Sequence, residues 1–356
     1  MGRTALFLVM GVGVALGVIG YNISDTTQRA LENNYTYYKY MYARNLARTA
    51  IYTALRSYDN GNVTPATGTD VSFAHGSYEI VSLSTSAAPA DTLRMTTRGS
   101  FADTSYTITL SLFRETKPFP QVNSALGVLA TLQSFATNGK PQVDGRNYNA
   151  TGTSLVGSGD LPGVTTLSST DSATVYANAF HANGDTLIRG ATEDGTNQRV
   201  VVDADPEDPS TFIDEYEQNH DVFLGAGTYT SQNYGTSTNP VIVFCDAGTG
   251  TVKFAGTTTG YGILAVKGPK LSLAGTFNWY GLVVILSDSA TVEFDEAGNA
   301  NITGALIVAQ ANYGNAKLSL SGTGSNPGKI RYSSDALMNA TNVGRLRYYH
   351  ILDWYE

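Results

Sequence analysis

Gly262-Ile263-Leu264-Ala265-Val266, Gly281-Leu282-Val283-Val284-Ile285 and Gly304-Ala305-Leu306-Ile307-Val308 are three copies of one pattern, a glycine followed by four apolar residues. Val241-Ile242-Val243-Phe244 is an equivalent run without the glycine. A second strand-like segment follows each run, at Val252–Ala255, Leu271–Ala274, Val292–Asp295 and Lys317–Leu320, ending at or near Gly256, Gly275, Gly298 or Gly322. The first three units span 22, 19 and 23 residues, a period that signals a solenoid. Two or three short strands cannot close a sheet within one unit, so each must pair in parallel with its equivalents in the units on either side. Glycine at equivalent corners supplies the backbone the bends require. A right-handed parallel β-helix over residues 241–333 is therefore expected, with an antiparallel sandwich as the alternative. Residues 334–356, which carry Tyr348, Tyr349, Trp354 and Tyr355, are expected to cap the last coil, because an open solenoid end exposes a strand edge.

Upstream, residues 121–240 read as an irregular β-rich region, with early coils of the solenoid as one interpretation. Strand-like pieces at Ala125–Leu132, Thr174–Ala177, Thr186–Arg189 and Arg199–Val202 are separated by Gly, Asn and Asp turns. The acidic run Asp203-Ala204-Asp205-Pro206-Glu207-Asp208 offers hard oxygen ligands for calcium but lacks a defined loop pattern, which favours a solvated turn. Earlier still, Ser77–Leu83, Thr92–Thr97 and Ser105–Leu112 alternate apolar and polar residues. They predict an antiparallel sheet within residues 61–120, with a turn at Gly99–Asp103 and a linker at Gly61–Thr69.

From Ala5 to Gly20 every residue is apolar or glycine, and the run continues to Ile23. At 1.5 Å per residue, about 19 residues approach the 30 Å of a bilayer core. No small-x-small site follows the run, so it is expected to be retained as an anchor, and Arg3 suggests a cytoplasmic amino end. Gly11, Gly13, Gly17 and Gly20 would let helices approach closely, at a cost of roughly 1 kcal/mol each in helix propensity. Leu31, Tyr35, Tyr38, Tyr42, Leu46, Ala50 and Ala54 then recur at helical spacing, and no proline interrupts them. One helix of about 50 residues is expected, apolar over 1–23 and amphipathic over 24–60.

The apolar helix, its amphipathic extension and the segment Ala43-Arg44-Asn45-Leu46-Ala47-Arg48-Thr49-Ala50 resemble type IV pilins and pseudopilins, in particular the PilX-like minor-pilin group. The resemblance implies a long helix packed on a small antiparallel sheet, and polymerisation through the helix. Helix-packing candidates are Leu6, Phe7, Gly11, Gly13, Gly17, Gly20, Tyr35, Tyr38 and Tyr42. Typical members carry a glutamate at mature position five that partners the N-terminal amine; counted from Met1, that position is Ala5.

The formal net charge of −8 argues against nucleic acid. Up to Asn60 six basic residues (Arg3, Arg29, Lys39, Arg44, Arg48, Arg56) face three acidic ones (Asp25, Glu32, Asp59), so the remainder carries about −11. Cys245 is the only cysteine and follows an apolar run, the place of a packing residue; an intrachain disulfide and a haem-attachment motif are both excluded. His75, His181, His220 and His350 show no metal-ligand spacing. Lys253, Glu293, Asp295 and Lys317 are candidate outward groups on separate coils, with no motif that converges them on a substrate.

The sequence therefore predicts a mainly β protein with one long N-terminal helix, a pilin-like sheet and a parallel β-helix. It is expected to have no enzymatic activity, cofactor or metal. Its expected partners are copies of itself through the helix, the membrane before assembly, and a surface or glycan ligand. The expected location is the cell envelope or an extracellular filament. A membrane-tethered adhesin or glycan-binding protein is the alternative reading.

Overall fold

The computed structural model describes residues 2–59, 66–86, 92–117, 119–179, 187–193, 196–197, 199–289, 291–322 and 328–356. Part of the expected linker 61–69, residue Thr186 and His181 lie outside the described residues. The chain forms two units, Met1–Glu115 with Tyr349–Glu356, and Thr116–Tyr348.

The first unit is built on α1 (Gly2–Asp59), which runs unbroken through all four glycines of the apolar half. Strands β1 (Asp70–Phe73), β2 (Gly76–Ser86), β3 (Thr92–Phe101) and β4 (Thr104–Thr116) form an antiparallel meander, and the strand Arg347–Tyr355 adds beside β4. The β3–β4 turn falls at Ala102-Asp103, with Ala102 at φ 52°. Ala43, Leu46, Ala47, Ala50, Ile51 and Ala54 are buried as one stripe of the helix. Opposite it the sheet buries Leu93, Met95, Ile108, Leu110 and Leu112, the alternate positions of β3 and β4. Mostly alanine on the helix side lets the backbone come down onto the sheet. The buried Thr97 hydroxyl donates to the Ala47 carbonyl at 3.1 Å.

The second unit is a stack of parallel strands. The chain enters at β5 (Leu126–Leu129), β6 (Thr131–Gly139) and β7 (Gln142–Asp144), then makes β8 (Val164–Thr166), α2 (Ser169–Ala179) and β9 (Ile188–Arg189). After a short antiparallel pair, β10 (Thr192–Glu193) with β11 (Thr196–Asn197), it reaches β12 (Val200–Val202) and α3 (Ser210–Gln218). Next come β13 (Val222–Gly225), β14 (Gly227–Thr230), β15 (Asn233–Tyr234), β16 (Val241–Asp246), β17 (Thr251–Ala255) and β18 (Thr257–Lys267). The long bent strands β19 (Lys270–Ser287) and β20 (Thr291–Gln310) lead to β21 (Asn315–Gly322), β22 (Lys329–Tyr332) and α4 (Ser334–Thr341). The last strand, β23, is Arg347–Tyr355, already met in the first unit.

The four apolar runs pair in parallel and in register: Ile242 with Ile263, Ile263 with Leu282, Leu282 with Ala305. The glycines before them stack as well, Gly262 on Gly281 on Gly304, all at positive φ. A Cβ at Gly304 would lie 1.9 Å from the Gly281 carbonyl oxygen. Only glycine lets the coils approach so closely there.

Stacking order departs from chain order. In space the strands run β13, β16, β18, β19, β20, β5, β8, β12. The chain thus enters in the middle, steps out to β12, passes through α3 to the opposite end at β13, and winds back until Leu306 of β20 pairs with Leu126 of β5. Residues 121–240 thus supply coils of the solenoid from β5 onward, one of the interpretations of that region, and 241–333 supplies the later ones.

The apolar runs are continuous because their sheet is covered on both sides. Val243, Leu264, Val283 and Leu306 face the solenoid interior. Ile242, Ile263, Leu282 and Ala305 face outward under Phe212, Ile213 and Tyr216 of α3 and Leu337 and Ala340 of α4. Two expectations are corrected. Residues 334–356 do not cap a coil: α4 lies on the outer flank, the last coil is paired with β5, β6 and β7, and β23 belongs to the first unit. Thr174–Ala177 lies in α2 and is not a strand. The helix starts on a reciprocal cap in which the Asp171 N–H donates to Ser168 Oγ (3.2 Å) and that hydroxyl donates to the Asp171 carboxylate (2.5 Å).

Candidate functional site

The apolar half of α1 is exposed along its described length. Leu6 and Phe7 are 59% and 72% exposed, and a Cβ added at Gly11, Gly13, Gly17 or Gly20 would meet nothing within 4 Å. α1 is long and apolar enough to cross a membrane. The tyrosines divide along the helix. Tyr42 packs on Phe101 of β3 at 4.4 Å between centroids, and Tyr38 meets the same ring edge-on at 5.8 Å. Tyr35 remains outside, with the Lys39 ammonium 5.0 Å from its ring centre; that ammonium also pairs with Asp103 at 2.7 Å. The expected packing residues thus include two groups, one open along the apolar half and one holding α1 to its own sheet.

Arg44 and Arg48 of α1 both bind the Glu356 carboxylate, Arg48 at 2.6 Å. Desolvation alone would raise the pKa of Glu356, but the hydrogen bonds from the two guanidinium groups overcome it and hold the carboxyl at about 2. The Arg48 guanidinium also lies 5.8 Å from the Trp354 ring centre.

On the solenoid, the outward candidates form a ladder and no cleft. Glu293 lies between Lys270 (3.2 Å) and Lys317 (3.8 Å), while Lys253 and Asp295 are separated by Ser272 in register. In the acidic run, Asp203 accepts from Asn123 (3.1 Å) and from the Asp205 N–H (3.3 Å), and Glu207 accepts from the Gln121 N–H (2.8 Å). These carboxylates fasten the segment that leads into β5. Among the described residues, no group of three or more His, Cys, Asp or Glu side chains is placed to hold a metal ion. Cys245 is buried in the interior cluster, and desolvation pushes its thiol up to about 12, the state of a packing residue.

Two residues that sequence reasoning missed are Tyr261 and Tyr280, each immediately before a corner glycine. They pair in register across β18 and β19 with rings 4.7 Å apart and 18° from parallel, and they line a groove of about 130 Å³ beside α4. The same 19-residue spacing that marks Gly262 and Gly281 marks them too.

No family model matches the chain, and neither does any curated protein. Among solved structures it is similar to the crystal structure of the competence-associated pilin ComZ from Thermus thermophilus, at 9% identity and a TM-score of 0.27, over 89% of this chain and 96% of that one. A likeness at that score carries no argument about function.

Proposed function

We propose that this chain is a structural subunit or accessory component of an extracellular type IV pilus-like filament, of the PilX-like minor-pilin kind. The observation that supports this reading most is the split character of α1. One continuous helix leaves Leu6–Ile23 apolar and exposed, while its stripe from Ala43 to Ala54 is buried on an antiparallel sheet. An exposed apolar surface of that length needs lipid or other helices around it. The membrane serves before assembly and neighbouring copies of α1 serve afterwards, which places the protein in the cell envelope or on the cell surface. The solenoid is inserted between β4 and β23, two neighbouring strands of the pilin-like sheet, and is the part such a subunit would present.

The chain acts in this reading without catalysis. Glu293 is engaged by Lys270 and Lys317, and Asp203 and Glu207 fasten the segment before β5. Mass spectrometry and immunogold labelling of filaments sheared from cells test the assignment. The protein is expected along the filaments or at their tips; its recovery solely from membranes of cells that make filaments would overturn it.

A further inference from the structure

The Tyr261–Tyr280 groove is a built concavity on the solenoid. Its two tyrosines come from successive coils, at outward positions fixed by the strand register, and both are half-buried. Around them stand Thr151, Thr236, Ser237 and Asn339, and no charged side chain among the described residues lines the groove. Its volume of about 130 Å³ equals that of about four waters at ~30 Å³ each, enough to seat one face of a six-membered sugar ring with the rest of the sugar in solvent.

The walls are fixed before any ligand arrives. The Thr236 and Asn239 backbones hydrogen-bond each other in both directions (3.0 and 3.2 Å), and the Asn239 N–H also donates to the Thr236 hydroxyl at 3.0 Å. The loop carrying Thr151 is held by the Asn149 side chain, which accepts from the Thr153 N–H at 2.9 Å, and by Arg331, which donates to the Gly152 carbonyl. Asn147 ties that loop to the start of α4, accepting from the Ser334 N–H at 3.0 Å and donating to the Ser334 hydroxyl at 2.9 Å. Three separate chain segments therefore present their polar groups at set positions, which lowers the ordering cost of binding.

We propose that this groove binds a neutral pyranose, the terminal sugar of a surface glycan. A pyranose has one face of C–H groups and an edge of hydroxyls. The C–H groups suit the electron-rich tyrosine rings, and the hydroxyls suit a rim of Ser, Thr and Asn, which can both donate and accept. An anionic or cationic ligand would be desolvated here without a counter-charge, so charged sugars are disfavoured. Burial, and then the neighbouring Tyr261, raise the Tyr280 pKa, so its hydroxyl stays a neutral donor across the physiological range. The site goes beyond the filament reading and does not depend on it.

The test uses the full chain in detergent on an array of neutral and anionic glycans, followed by saturation-transfer NMR with glucose, galactose and N-acetylglucosamine. Neutral glycans are expected to bind. Tyr280→Ala is expected to weaken them at least about tenfold, and Tyr280→Phe, which keeps the ring, far less. Asn339→Asp, a surface change that spares the fold, is expected to weaken binding about tenfold by replacing an amide donor with an unpaired charge. Absence of neutral-sugar binding at millimolar concentration would overturn the proposal. So would a preference for charged glycans or for extended peptides, or binding unchanged in both Tyr280→Ala and Asn339→Asp.

Discussion

Gly99 of β3 lies directly against the backbone of α1: a Cβ there would sit 2.1 Å from the Ala43 carbonyl oxygen and 2.4 Å from the Ala47 amide nitrogen. The contact is backbone to backbone, so no side chain can rotate away to relieve it. Gly99→Ala is expected to destabilise the first unit by about 1–3 kcal/mol, the usual cost of forcing extra volume into a packed interface. Denaturant titration of the full chain in detergent, followed by a signal from the first unit, measures it. An unchanged midpoint would mean that the helix does not rest on β3.

The Glu356 carboxylate with Arg44 and Arg48 gives the same unit an acid-sensitive fastening. Its folded pKa of about 2 lies below the ordinary value of 4.5, so the stabilisation is present above pH 4.5 and is lost as pH falls toward 2. Glu356→Gln should abolish that part of the acid dependence and leave the alkaline side unchanged. Melting curves at pH 7, 4 and 2.5 provide the comparison, and identical acid profiles for the two proteins would refute the linkage. The pair is partly exposed, so the effect is expected to be modest and weakened by salt.

Glu296 behaves in the opposite sense. It is buried inside the solenoid beside Gly328, and desolvation raises its carboxyl well above the ordinary range despite a backbone hydrogen bond from Ala300. The folded protein holds this proton after the unfolded chain has released it, so stability falls as pH rises above about 4.5, the unfolded pKa. Glu296→Gln should therefore raise the melting temperature at pH 8 relative to the parent and narrow the difference at pH 4. A variant less stable than the parent at both pH values would show that the carboxylate is ionised and partnered.

Much of this architecture is legible in the chain because it repeats. Gly262, Gly281 and Gly304, each with the four apolar residues that follow, announce parallel stacking, and the alternation in β3 and β4 announces an antiparallel meander. The stacking order is not legible, because β5 meets β20 through Leu126 and Leu306, residues 180 positions apart that no local pattern links. The helix α2 was hidden by Thr174 and Val175, which favour strands, whereas its real signal is the cap formed by Ser168 and Asp171. Of the candidate sites, the open glycines of α1 could be read from composition. The groove could not, because its walls come from loops at Thr151 and Thr236 and from Asn339 of α4, far apart in sequence.

Gly304→Ala tests the coil corners. Gly304 sits at φ 134°, where an L side chain is strained, and its Cβ would meet the Gly281 carbonyl oxygen at 1.9 Å. The substitution should cost more than the roughly 1 kcal/mol by which alanine and glycine ordinarily differ in backbone preference. Hydrogen exchange should show lost protection at β19 and β20, with the amides of β2 and β3 in the other unit unaffected. Equal protection in parent and variant would mean that the corner relaxes freely.

The last expectation concerns Gly13 and Gly17. In the isolated chain the helix continues through both, with open space where side chains would stand. Four glycines in this half, at roughly 1 kcal/mol each, weaken the helix when lipid is removed, because an exposed backbone bond can then be traded for water. In lipid that trade is closed, and the helix persists. In a filament, close approach of neighbouring helices at Gly13 and Gly17 would replace lipid with backbone-to-backbone packing. No proline forces the segment to unwind, so a continuous helical bundle is expected, with any break confined between Gly11 and Gly20. Leucine at both positions would keep the segment apolar and helical while holding neighbours apart. Gly13→Leu with Gly17→Leu should therefore leave membrane insertion intact and stop incorporation into filaments, measured by membrane fractionation alongside mass spectrometry of sheared material. Normal incorporation of the double variant would show that these glycines do not pack helices; loss from the membrane fraction would show that their part is in insertion.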